Sequence, residues 1–136
     1  MEVGYNGPCR QEVRVVIEQL ASLPNGVLGF RMSGLVTAQD YENVMVPDIE
    51  AAFALNPKLR LVVHVGEDFL GFAPGAMWDD VKLGFRHISG WERTALVTDV
   101  GWIRAMSGVF GFAMPTHFKL FSNLELAEAV RWAGSI

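Results

Sequence analysis

The segment ERTALVTDVGWIRAM, Glu92 to Met106, constrains the fold more than any other part of the chain. An apolar run at Ala95–Val97 ends in Thr98-Asp99, and a helix-like segment carrying Trp102, Ile103 and Met106 follows with almost no linker. A strand that feeds straight into a helix is the unit of parallel α/β sheets, since parallel neighbours need a long crossover between them.

The same grammar recurs along the chain. Val13, Val15 and Ile17 alternate with Arg14, Val16 and Glu18, which predicts a strand near 13–20. Leu23-Pro24-Asn25-Gly26 is a turn signal, because Pro presets φ and Asn-Gly tolerates positive φ. A second strand near 27–33 puts Leu28, Phe30 and Met32 on one face and Arg31 on the other, so the first pair reads as an antiparallel hairpin. Thr37 with Asp40 forms an approximate capping box, and Tyr41, Met45, Ile49 and Phe53 make an apolar stripe that Pro47 should kink or split. The near-continuous apolar run 59–65 suits a sheet centre.

Gly66 to Phe72 reads as a loop. Pro74 then opens a helix carrying Met77, Trp78, Val81 and Phe85, in which Gly84 implies a close backbone approach. After a strand at 93–98, the helix from Val100 to Phe110 is apolar nearly all round, and Pro115 stops it. A last strand at 116–121 precedes Ser122 and Glu125, a capping box that opens a terminal helix through Trp132. The order β-β-α-β-α-β-α-β-α predicts an α/β fold: a mixed five-stranded sheet with strands two to five parallel. Arg14, Arg31, Arg60, His64, Thr94, Thr98, His117 and Lys119 fall opposite more apolar partners. One sheet face should therefore be well covered and the other incompletely.

At 136 residues, half of them hydrophobic, the chain fits one packed domain: a flexible tail over 1–11 and a single domain over 12–136. A net charge of −4 with scattered basic residues argues against nucleic acid. Cys9 is the single cysteine, so no intrachain disulfide can form, and a cytoplasmic setting is expected. The first residues lack an apolar signal core. The apolar region near Gly108–Met114 is far below the roughly 20 residues that span a bilayer.

The segments VLGFRMSGLVTAQDYENVMVPDIEAAF, LRLVVHVGEDFLGF, MWDDVKLGFRH, ERTALVTDVGWIRAM and FKLFSNLELAEAVRWA together resemble the SpoIIAA-like family of the STAS superfamily. The likeness covers Val13 to Trp132. It implies a (βα) superhelix, related in shape to CRAL-TRIO lipid-binding domains, and a regulatory or ligand-binding module. Anti-sigma-factor antagonists of the superfamily carry a phosphorylatable Ser at the helix after the third strand. The corresponding stretch here, Gly66 to Asp80, holds neither Ser nor Thr, so the resemblance implies a module without that phosphate switch.

Glu67, Asp68 and Asp99 end neighbouring strands, at the sheet edge where open α/β folds bind ligands. They could serve a divalent metal or acid/base work, although acids there commonly cap helices. Asp79 and Asp80 point about 100° apart on one helix and suit dipole compensation, or one of them an anchor to Arg86 or Arg104. His64, His87 and His117 lie in different elements without the partners zinc needs. No nucleophile elbow, P-loop or dinucleotide fingerprint occurs, and no resident metal or cofactor is expected.

The excess is apolar. Trp102, Ile103, Met106, Val109, Phe110, Phe112 and Met114 exceed what one core stripe needs, and Phe69, Leu70, Phe72 and Trp78 add to them. The leading expectation is a non-catalytic interaction module that engages a partner protein or a second copy, as a homodimer, through this surface. A carrier of an apolar ligand or lipid is the alternative, and contact with a membrane surface is compatible with the same excess. A metal-dependent enzyme using Glu67, Asp68 and Asp99 is the third reading.

Overall fold

The computed structural model describes residues 16–75, 90–105 and 117–135. Five strands form one sheet in the order β1 (Ile17–Gln19), β2 (Val27–Val36), β3 (Leu59–Phe72), β4 (Trp91–Thr98) and β5 (His117–Phe121). The β1–β2 pair is antiparallel, as the Pro24-Asn25-Gly26 turn predicts, and the other three pairs are parallel. The expected tail 1–11 and the helix around Gly84 lie outside the described residues.

Two packings follow from the pleat. Phe30 and Met32 of β2 and Val65 of β3 point toward the first helix, where Tyr41, Met45 and Ile49 are almost completely buried among them. On the opposite face Val62, Ala95, Val97 and Phe121 meet Ala129 and Ala133 of the terminal helix, Leu126–Gly134. Arg31, Arg60, His64 and Lys119 share this second face, as the alternation predicts. Thr94 and Thr98 do not. Both are buried on the first face, opposite Leu61 and Val65, because β4 turns its small apolar residues Ala95 and Val97 to the terminal helix.

Pro47 neither splits nor ends its helix. Ala38–Asp40 runs into a wide turn, Tyr41–Met45, in which Val46 N–H donates to Tyr41 O five residues back. Val46–Leu55 follows with Pro47 in its first turn, where a missing N–H costs little. The capping box is complete: Thr37 N–H donates to Asp40 Oδ2 at 2.7 Å, and Asp40 N–H donates to Thr37 Oγ1 at 3.2 Å.

The largest correction concerns Gly66–Phe72, which is strand and not loop. Its backbone pairs with the lengthened end of β2 through Gly34–Phe69, Leu35–Gly71 and Val36–Phe72. Between the pairs Met32–Val65 and Val36–Phe72, β2 advances four residues while β3 advances seven. The surplus is taken up in bulges where Gly34 (φ 65°) and Gly71 (φ 141°) adopt backbone that side-chain-bearing residues rarely reach. The β3–β4 pairing ends at Val65–Thr98, so among the described residues the sheet continues beyond it as a two-stranded parallel ribbon.

Candidate functional site

The ribbon sorts its side chains by face. Phe69 and Phe72 turn inward and touch edge to face, with ring centroids 5.0 Å apart. Trp102, in the helical residues 101–105, packs on both, at 6.4 Å from Phe69 and 6.0 Å from Phe72. Tyr41 stacks on Phe72 at 6.4 Å and its hydroxyl points at Met32 Sδ. Three of the apolar residues singled out in the sequence, Phe69, Phe72 and Trp102, thus form one cluster. Trp78, Met106, Phe110 and Phe112 lie outside the described residues.

Leu70 points the other way and is 76% exposed; Leu35 on the neighbouring strand is 51% exposed, and Trp102 at the cluster's rim 44%. Alternation sends Leu70 away from Phe69, and the bulge at Gly71 returns Phe72 to the inward face. Leu35 lies beyond the expected end of β2 near residue 33. Its signal was the GLV sequence after Ser33, which continues a strand once Gly34 is allowed a bulge.

The three acids are engaged differently. Glu67 is exposed in the ribbon, and Asp68 pairs with Arg31, Oδ1 to Nη2, at 3.2 Å. Asp99 Oδ1 accepts from Asn123 N–H at 3.3 Å and so caps the turn Asn123–Glu125 that leads into the terminal helix. Its own helix is served by Thr98, whose Oγ1 accepts from Val100 N–H at 3.1 Å. Helix capping therefore accounts for Asp99 but not for Glu67 or Asp68, which sit inside a strand. Among the described residues no three His, Cys, Asp or Glu side chains are grouped so as to hold a metal ion.

A polar cluster that the sequence did not reveal lies at this end of the second sheet face. Arg31 and His64 are register partners on β2 and β3. Burial, and next the Arg31 charge, hold His64 below its ordinary 6.5, while Asn123 and Asp68 pull it the other way. His64 Nδ1 and Asn123 Oδ1 are both buried, and among the described residues the only partner either has is the other's side chain. Gly66 makes room for this arrangement: a Cβ there would collide with the Arg31 guanidinium and lie 3.0 Å from Asp68 Oδ1.

The family model for SpoIIAA-like proteins matches residues 27–134, and the chain belongs to that family. Its fold is similar to the crystal structure of an uncharacterized protein with a SpoIIAA-like fold from Shewanella loihica PV-4, with a TM-score of 0.68 and 27% sequence identity over 86% of this chain and 91% of that one. No curated protein matches the chain. No described helix is long and apolar enough to cross a membrane.

Proposed function

We propose that the protein is a non-catalytic, cytoplasmic interaction module of STAS type that engages a protein surface, foremost a second copy of itself, with the tip of the β2–β3 ribbon. The observation that carries this reading is the exposure of Leu35 and Leu70 on one face of the ribbon, with Trp102 at the rim of the other. Single exposed apolar residues such as Leu55 and Leu124 are ordinary on a protein surface, but Leu35, Leu70 and Trp102 gather about one element. The inward rings touch one another, which favours a rigid platform over a carrier pocket for an apolar ligand. The absence of Ser and Thr from Gly66 to Asp80 fits regulation by contact and not by phosphorylation of that stretch.

Sedimentation across protein concentration tests the reading. A dimer burying about 1,200 Å² or more in total should persist at high salt, because screening acts on charge and not on apolar contact. The double substitution Leu35→Lys with Leu70→Lys should convert it to the 15.0 kDa monomer with its melting temperature little changed. A wild-type chain that is monomeric at tens of micromolar, and that yields a co-purifying acyl ligand, would instead favour the carrier.

A further inference from the structure

We propose that the second sheet face, at the carboxyl end of β2 and β3, is a binding site for a small oxyanion, a carboxylate or phosphate group, held by Arg31 and His64 once Asp68 swings away. The proposal stands apart from the ribbon reading and uses none of its residues.

The Arg31–Asp68 contact is a single one, with the two side chains 30% and 60% exposed. Such a pair contributes little, so its carboxylate can yield to a competitor. Asp68 then acts as an internal stand-in for the ligand's own oxyanion. Beside it lie His64 Nδ1 and Asn123 Oδ1, a potential donor and an acceptor, both buried and with only each other as partner.

The two satisfy each other when the neutral ring carries its proton on Nδ1, which donates to Asn123 Oδ1. That leaves Nε2 to take a second proton from solvent and donate it to the anion. Burial and Arg31 oppose that proton even with Asp68 in place, and an anion that accepts from Nε2–H favours it. Among the groups around the ring Asp68 supplies negative charge, and the ligand's oxyanion takes its place. Glu18 on β1 sits across Arg31 in register, Asp99 at the end of β4 is engaged by Asn123 N–H, and the register neighbours on β4 and β5 are the apolar Val97 and Phe121. The location, outside the carboxyl ends of parallel strands, is where open α/β sheets bind ligands.

The test is NMR titration of the histidine rings with sodium acetate, sodium phosphate or sodium chloride at fixed ionic strength. One histidine, identified by its loss in His64→Gln, should show a saturable response to acetate or phosphate and a titration midpoint moved upward. A response to phosphate alone would assign the site to phosphate groups, and a response to both would show that a carboxylate suffices. Arg31→Gln should lose binding at least tenfold. Asp68→Asn removes the competitor and should tighten binding about two- to fivefold, the worth of an exposed ion pair. An equal response to chloride, no saturable response, or an Asp68→Asn variant that binds no better would overturn the proposal.

Discussion

The two faces of the sheet are built on different physics. On the first, long side chains from both sides interlock: Phe30 and Met32 against Tyr41, Met45 and Ile49, all essentially inaccessible to water. On the second, small residues at the centre, Val62, Ala95 and Val97 against Ala129 and Ala133, let the terminal helix approach closely, with Phe121 against Trp132 beside them. Around that narrow contact sit Arg31, Arg60, Arg93 and Lys119, tied to carbonyls, one carboxylate and aromatic rings: Arg60 to Asn25 O, and Arg93 to Trp132 O and across the Trp132 ring. The first face supplies apolar volume. The second supplies the polar groups from which a site can be made.

If that division is right, the two faces should respond unequally to truncation. Phe30→Ala, on the first face, should cost about 3–5 kcal/mol, the range for deleting a buried aromatic ring. Val97→Ala, on the second, removes two methyl groups and should cost about 2 kcal/mol. Urea titrations with unchanged slope would report both. Equal losses would mean that the terminal helix holds as much of the fold as the first helix does.

The difference between the faces also governs what could be read from the sequence. The strand–helix grammar at Glu92–Met106 and both capping boxes depend on neighbours in sequence, and the strands and caps they predict are present at Trp91–Thr98, Thr37–Asp40 and Ser122–Glu125. Gly66–Phe72 reads as a loop because Gly, Glu and Asp usually mark loops, whereas pairing with Gly34–Val36 satisfies its backbone as strand. Thr94 and Thr98 were placed on the wrong face because hydroxyls look polar; the pleat of β4 puts both under cover. The Arg31–His64–Asp68–Asn123 cluster was invisible for a further reason. Its members come from β2, β3 and the turn before the terminal helix, and only the parallel register brings Arg31 beside His64.

Asp99 joins the end of β4 to the start of the terminal helix. Asp99→Ala leaves the Asn123 N–H without its acceptor and should cost about 1 kcal/mol, as loss of a helix cap does. Hydrogen exchange should place that loss in residues 123–134 and leave the Tyr41–Ile49 segment protected. Uniform loosening of both helices would show that the faces are not independent.

Acid should act on the second face in the same graded way. The folded chain disfavours charge on His64, so the unfolded chain binds its proton more readily. Stability from this source is complete above 6.5, the ordinary histidine value, and declines as pH falls below it toward the lower folded value. Melting curves between pH 7.5 and 5 should show a decline that His64→Gln reduces, the remainder belonging to carboxylates. A variant with the wild-type slope would remove His64 from the account.

The smallest effect on stability is expected from Gly66→Ala. Two contributions oppose each other. Replacing a strand glycine reduces the freedom of the unfolded chain, worth roughly 0.4–1 kcal/mol in favour of the fold. The new Cβ, however, meets the Arg31 guanidinium, the flexible end of a partly exposed side chain that can move aside. Net stability should therefore stay within about 1 kcal/mol of wild type. The local electrostatics should not stay put. With Arg31 displaced, the second of the two influences that hold His64 low is weakened, and its titration should rise toward 6.5 while burial still restrains it. Ring NMR resolves that shift even where the melting temperature does not move. An unmoved His64 would place Arg31 too far from the ring to matter, and the second face would then be a weaker core without a site.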